Sequence, residues 1–511
     1  MVTRKYVLAS FPIAAAIVVY KTLSSTEKLN VEFILRRMLF TIKDDTNSTS
    51  SIISNQASRS LIPIQQSDIV GFFCAAMGLF IAAGGGIGGG GILVPVYILI
   101  MGFLPKHAIP LSNVTVLGGA VASTLRNIRK RHPTADRPLI DWDIIVAMEP
   151  PTVAGALIGS NLNKILPEAV IAVMLALLLS FTAYITLKKA QKMRRKETEM
   201  IKRSRADAGT ENEYLLLSDN SSIENDECEF IEGNNTNAKS IHSSPHCHPP
   251  THFEQDCEFE VEGENNDVPE FGDPITLSYI IKEERHPKTR NVMLVFVMFC
   301  VVLIINIFKG GGGFQSPMGI RCGSISFWFA QGLLLVWILF ISCSGRMFML
   351  KDTKRKIEAG YIYLDEDVKW DEKSTIIYPL ISILAGFFAG MFGIGGGIVK
   401  GPLMLAMGIH PAVASATSAC MILFTSFTAT TTFSVYGLMI PEYAIVCLFL
   451  GFCATYLGQT FMSHVIAKSN RNSYIAFSIG VVVLLSALLM TLEFLLQLAS
   501  GEIEQVGGIC G

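Results

Sequence analysis

The sequence predicts an all-α, polytopic membrane protein of two inverted-topology repeats, each with a Gly-rich broken helix or re-entrant hairpin. Three observations support this. Half of the 511 residues are apolar and only 16% are charged, with a positive mean hydropathy of +0.44. Uncharged apolar runs at 170–186, 292–308, 325–342 and 475–492 approach the ~20 residues a helix needs to cross a hydrocarbon core. They lack the period-two alternation of barrel strands. Finally, two Gly runs, one in each half of the chain, interrupt apolar stretches at matching places.

Residues 1–68 comprise an N-terminal anchor or signal helix and a lumenal loop. Arg4 and Lys5 precede an apolar run at 6–20, and the loop carries the N-glycosylation acceptor pattern Asn47-Ser48-Thr49. The first transmembrane repeat covers 69–188. Residues 189–290, basic at first and acidic later, have too few apolar side chains for a core and are expected to form a cytoplasmic, largely disordered loop. A linking helix pair and a cytoplasmic loop fill 291–374. The second transmembrane repeat covers 375–497, and 498–511 is a tail. Cys74, Cys300, Cys343, Cys420, Cys447 and Cys453 lie in apolar spans, where thiols act as small hydrophobes.

Basic residues set the orientation. One cluster holds Arg126, Arg129, Lys130, Arg131 and Arg137, a second begins at Lys188 and Lys189, and a third holds Lys351, Lys354, Arg355 and Lys356. Two helices separate each cluster from the next, so all three face the cytoplasm and the Asn47 loop faces outward. The first repeat then enters from outside and the second from the cytoplasm. That inversion is a common architecture of secondary transporters.

The run from Gly84 to Gly91 leads to Pro95, and the run from Gly393 to Gly397 leads to Pro402. Aligning Ile87 with Ile394 aligns the prolines. One residue later in register, Met101-Gly102 meets Met407-Gly408, Ala108 meets Ala414, and Ser112 meets Ser418; further on, Gly159 meets Gly458. Consecutive glycines disfavour a continuous helix. Unwound backbone at membrane depth must be buried in protein or line an aqueous cavity, and free N–H groups at a helix start favour an anion. Close helix packing is the competing account of such glycines. Gly84-x-Gly86-x-x-Gly89 fits a dinucleotide fingerprint but has no strand–turn–helix around it, and no Gly-Lys-Ser/Thr follows either run, which excludes a P-loop.

These motifs resemble the sulfite exporter TauE/SafE family in its eukaryotic form. The resemblance rests on both Gly runs with their prolines, on the stretch from Ile109 to Thr115, on Ala414 to Ser418, and on Lys309 to Gly313 and Gly319 to Ser324 between the halves. It covers both membrane repeats and the linking helices but not the 189–290 loop. It implies a secondary active transporter of a small anion, sulfite or an organosulfur anion, in a plasma membrane or endomembrane. Its partners would be that anion, membrane lipid and a coupling proton or cation, with no nucleic acid, no cofactor and no enzymatic activity.

Under that resemblance the substrate sits where the halves meet. Gly88, Gly89, Gly90, Gly395, Gly396 and Gly397 would offer backbone donors, and Ser112, Asn113, Thr115, Thr417 and Ser418 would offer side-chain polar groups. Such hydroxyls can instead bond their own helix carbonyls. Lys400 would attract an anion or else snorkel to the interface. Glu149, in Met148-Glu149-Pro150-Pro151, is a coupling candidate, with Gln459 and His464 as lesser ones. His242, His246, His248, His252 and Cys247 lack zinc-finger spacing, so no metal site is predicted. The alternative function is a membrane receptor or scaffold whose acidic His/Cys-containing loop binds metal or protein partners.

Overall fold

The computed structural model describes residues 61–83, 88–133, 135–220, 274–321, 323–363, 367–469 and most of 480–491. Asn47, the first apolar run, Gly84 to Ile87, the His/Cys tract and the C-terminal tail lie outside them. The helices, in order, are α1 Gln66–Ala82, α2 Gly90–Leu99, α3 Pro105–Asn127, α4 Trp142–Ile165, α5 Glu168–Asn220, α6 Pro274–Glu284, α7 Thr289–Lys309, α8 Ile325–Glu358, α9 Ser374–Phe392, α10 Gly397–Ala406, α11 Pro411–Val435 and α12 Pro441–Ser469. Among the described residues seven helices (α3, α5, α7, α8, α9, α11 and α12) are long and apolar enough to cross a membrane. The chain divides into two units, Met1–Arg195 with Gly272–Gly511, and Lys196–Phe271. The second unit is helical as far as Asn220. Both described ends of the segment expected to be a disordered loop are therefore helical.

Local chemistry explains the helix ends. Pro105 and Pro411 open α3 and α11 at first-turn positions, where a missing N–H costs nothing. Asp141 caps α4 by accepting from the backbone N–H groups of Asp143 and Ile144. Ser324 caps α8 through the N–H of Phe327. Gly393 closes α9 in a left-handed conformation, φ +69°, which only glycine adopts cheaply.

The Gly runs separate a longer helix from a ten-residue one in each half, α1 from α2 and α9 from α10. Ten residues span ~15 Å, about half of a hydrocarbon core. In the first half the pair forms a re-entrant hairpin. A Cβ at Gly78 would fall 2.8 Å from Ile92, and one at Gly71 would fall on Met101, so α2 runs back antiparallel beside α1. The hairpin, not a straight broken helix, is the form the glycines produce.

Matching positions in the two halves make reciprocal contacts. Helix α4 packs along α9, and α12 packs along α1. A Cβ at Gly159 would fall on the carbonyl oxygen of Phe387, and one at Gly458 would lie 2.5 Å from that of Phe80. Phe80 and Phe387 are equivalent in the register of Ile87 and Ile394. Gly155, Gly386 and Gly390 hold the α4–α9 backbones just as close, so small residues spaced four apart do pack helices here. The linking helices α7 and α8 lie on α4 through Val153, Leu157, Val302, Leu334 and Ile338. Their outer faces expose Phe296, Phe329, Leu333 and Phe340, an apolar surface suited to lipid.

At the end where the basic clusters gather, ion pairs tie these helices together. Lys288 bridges Asp143, at 2.8 Å, and Asp352, at 2.6 Å, while Glu284 meets Lys356 and accepts from the Tyr361 hydroxyl at 2.6 Å. Arg137 pairs with Asp367 across the same region.

Candidate functional site

The two breaks meet. Gly88 and Gly395, equivalent in the repeat, have φ of +77° and +70°. Both abut the same two side chains, Val116 of α3 and Ile422 of α11, which are themselves equivalent in the repeat. A Cβ at Gly90 would lie 2.6 Å from backbone atoms of Ile394. The close approach is possible because Gly90 carries no side chain where it meets the Ile394 backbone. Helices α2 and α10 start at this crossing, at Gly90 and Gly397. Their first-turn N–H groups and positive dipole ends therefore lie on either side of the contact, an arrangement that favours an anion.

The predicted polar residues divide into two groups. Ser112, Asn113 and Ser418 are fully buried. Ser112 Oγ donates to the carbonyl of Gly393, 2.9 Å away, and so touches the second break from the first half. Neither polar atom of the Asn113 amide has a hydrogen-bond partner among the described residues, and the same holds for the Ser418 hydroxyl. Buried groups of this kind are uncommon and call for a specific explanation. Thr115 and Thr417 are committed elsewhere. Thr115 Oγ1 donates to Leu111 O and shares a 2.7 Å hydrogen bond with the Tyr97 hydroxyl. Thr417 Oγ1 accepts from the backbone N–H of Asp141 at 3.1 Å, so it secures the start of α4.

Lys400 neither snorkels nor presents a free charge. Its ammonium is fully buried and bonds Glu149 Oε2 at 2.8 Å and Thr425 Oγ1 at 2.8 Å. Thr425 in turn donates to Glu149 Oε1 at 2.6 Å. Two residues that the sequence treats as separate candidates, an anion ligand and a proton carrier, are one ion pair. Thr425 escapes sequence reasoning because it lies in a Thr/Ser-rich helix of many similar hydroxyls. Gln459 donates to the Ser123 hydroxyl at 2.8 Å, on the wall of a narrow cleft that also borders Gly88, Ile422 and Thr455. The side chain of His464 lies outside the described residues.

At the opposite end from the basic clusters, two more buried ammonium groups, neither of them a predicted site residue, surround Tyr436. Lys164 Nζ lies 4.9 Å from the ring centre, and Lys309 Nζ lies 5.6 Å from it while donating to Gln331 Oε1 at 2.7 Å. Favourable cation–ring contacts and a neutral amide acceptor replace carboxylates here.

Fold and site together define an integral, multi-pass membrane protein in which two half-length helices from related halves begin at a shared buried crossing. The chain belongs to the sulfite exporter TauE/SafE family: the family model described as "Sulfite exporter TauE/SafE" matches residues 70–221 and 378–507. Those two stretches contain both Gly breaks and their half-length helices and omit the linking helices. The chain is 28% identical over 426 residues to Arabidopsis thaliana "Sulfite exporter TauE/SafE family protein 3", covering 82% of this chain and 76% of the relative. It is 25% identical to family protein 5 of the same plant, covering 83% and 82%, and 25% identical to family protein 2, covering 87% of each. No solved structure matches.

Proposed function

We propose that this protein is a secondary active transporter of a small anion, sulfite or an organosulfur anion, working by alternating access of two inverted repeats. The observation that supports this best is the crossing of the two Gly breaks. It sets two helix N-termini on either side of one buried point, with the unpartnered Asn113 amide and Ser418 hydroxyl on the helices that line it. Backbone donors and neutral polar side chains can replace the hydration shell of an oxyanion without adding a fixed charge. Gly88, Gly89, Gly90, Gly395, Gly396 and Gly397 would supply the backbone groups, with Ser112, Asn113 and Ser418 beside them. The reciprocal contacts of Gly159 and Gly458 support a pseudo-symmetric pair of halves that could rock about this point. The family's name and the relatives' names agree with an anionic sulfur substrate. Uptake of sulfite, sulfate, taurine and thiosulfate into reconstituted vesicles, under a pH or a sodium gradient, tests the reading. Transport of none of them under either gradient would overturn it.

A further inference from the structure

The Lys400–Glu149 pair has a twin position elsewhere in the same molecule. In the register of the repeat, Lys400 corresponds to Leu93, Glu149 to Leu448 (the register of Gly159 and Gly458), and Thr425 to Gly119 (the register of Ser112 and Ser418). Leu93 and Leu448 belong to one continuous apolar core. The equivalent positions of the repeat are thus two leucines and a glycine, with no charge. A buried ion pair costs both partners their hydration, and hydrophobic replacements of similar volume commonly serve stability as well or better. Packing therefore does not explain why one of the two sets of positions is ionic.

The position of the pair suggests what it does. Glu149 belongs to α4 of the first half and Lys400 to α10 of the second, so the pair spans the halves. Lys400 lies in the first turn after the break, and its stem folds back along it: a Cβ at Gly396 would lie 3.5 Å from Lys400 Cε. From α11 come Thr425, which bonds both partners, and Cys420, a further ionisable group near the pair. The facing stretch of α9 brings Ala385, Gly386 and Ala389, none of them charged. No second carboxylate competes for the ammonium among the described residues.

Resting on the transport reading above, we propose that Glu149 and the substrate anion exchange places as the partner of Lys400, so that one univalent anion moves with one proton. In the empty site the carboxylate and the ammonium cancel. A proton taken from the aqueous side by Glu149 leaves a neutral acid still bonded to Thr425, and frees the positive charge of Lys400. A univalent oxyanion then binds at the break and restores neutrality. Both empty and loaded sites are thus uncharged, the condition for crossing a low-dielectric layer in either state. A divalent anion would leave the loaded site with a net negative charge, so the preferred substrate class is a univalent sulfur oxyanion such as bisulfite or a sulfonate.

The test uses the full-length protein in vesicles with an internal pH dye and a clamped potential, and offers bisulfite, methanesulfonate and sulfate. Uptake of a univalent anion should acidify the lumen one proton per anion and be indifferent to voltage. One uncompensated charge would shift the accumulation ratio by about fiftyfold per 100 mV. E149Q, a permanent mimic of the neutral acid, should keep anion-for-anion exchange and lose proton-coupled net uptake by ~10-fold or more. Single variants could misfold, so E149L/K400L, which copies Leu448 and Leu93, is the second arm. It should keep wild-type thermal stability and lose both activities. Anion uptake that is voltage-driven without proton movement, or proton coupling that survives in E149L/K400L, overturns this inference and leaves the transport reading standing. Absence of uptake of every anion by the wild type overturns both.

Discussion

Replacing Gly90 by alanine probes the crossing of the two breaks directly. The new Cβ would sit 2.6 Å from the carbonyl carbon, Cα and oxygen of Ile394. Ordinary contacts of a Cβ begin near 3.4 Å, so the two segments would have to separate by close to an ångström. All three obstructing atoms are backbone, and no rotamer change relieves them. Overpacking of this kind costs about 1–3 kcal/mol. The separation would also move the starts of α2 and α10 apart, and a misplacement near 1 Å is enough to disable a geometrically tuned site. G401A is the control. Gly401 lies within α10, has ordinary helical φ and meets nothing within 4 Å, so alanine there should be neutral or slightly stabilising, by up to ~1 kcal/mol. Thermal unfolding in detergent and anion uptake in vesicles should both fall for G90A and hold for G401A. If G90A unfolds and transports like the wild type, the two breaks do not touch and the site described here does not exist.

Other substitutions test other parts of the structure. K400M strands a fully buried carboxylate with only the Thr425 hydroxyl, and should cost ~3–5 kcal/mol, read as a lowered unfolding midpoint. S112A removes the donor to Gly393 O and should cost about 1–3 kcal/mol by the same measurement, since a buried carbonyl loses its partner. K288M should cost about 1.5–3 kcal/mol, because Lys288 bonds two carboxylates in a half-buried setting. Burial alone would lower the ammonium of Lys288, but Asp143 and Asp352 overcome it and hold its pKa above the usual 10.5. A raised pKa of a base stabilises below 10.5 and is lost only as pH climbs through the raised value. The deficit of K288M should thus be constant from about pH 6 to 9. A deficit that vanishes inside that range would refute the assignment.

Much of the fold was legible because a bilayer leaves a chain few options. Uncharged runs of spanning length and glycines that cannot continue a helix fix the spanning segments and the breaks within narrow limits. The site was legible in part. Gly88, Gly90, Gly395 and Ser112 were named from sequence and do meet at the crossing, because a repeat that brings Gly runs into register also brings them together in space. Thr115 and Thr417 were named on the same grounds but bond Tyr97 and the Asp141 amide, since helix rotation decides which hydroxyl faces inward. That rotation is set by packing against other helices, and a single helix's residue pattern does not encode it.

The Gly runs and the charge distribution therefore determined, from sequence alone, that this is a membrane protein of two related halves with a break in each. Only the tertiary structure decided that the first break is a hairpin, that the two breaks touch, and that Lys400 is already paired with Glu149 through Thr425. These three residues are far apart in the chain. Their meeting depends on how α4, α10 and α11 cross, a property of the packed assembly to which no segment contributes a visible signal.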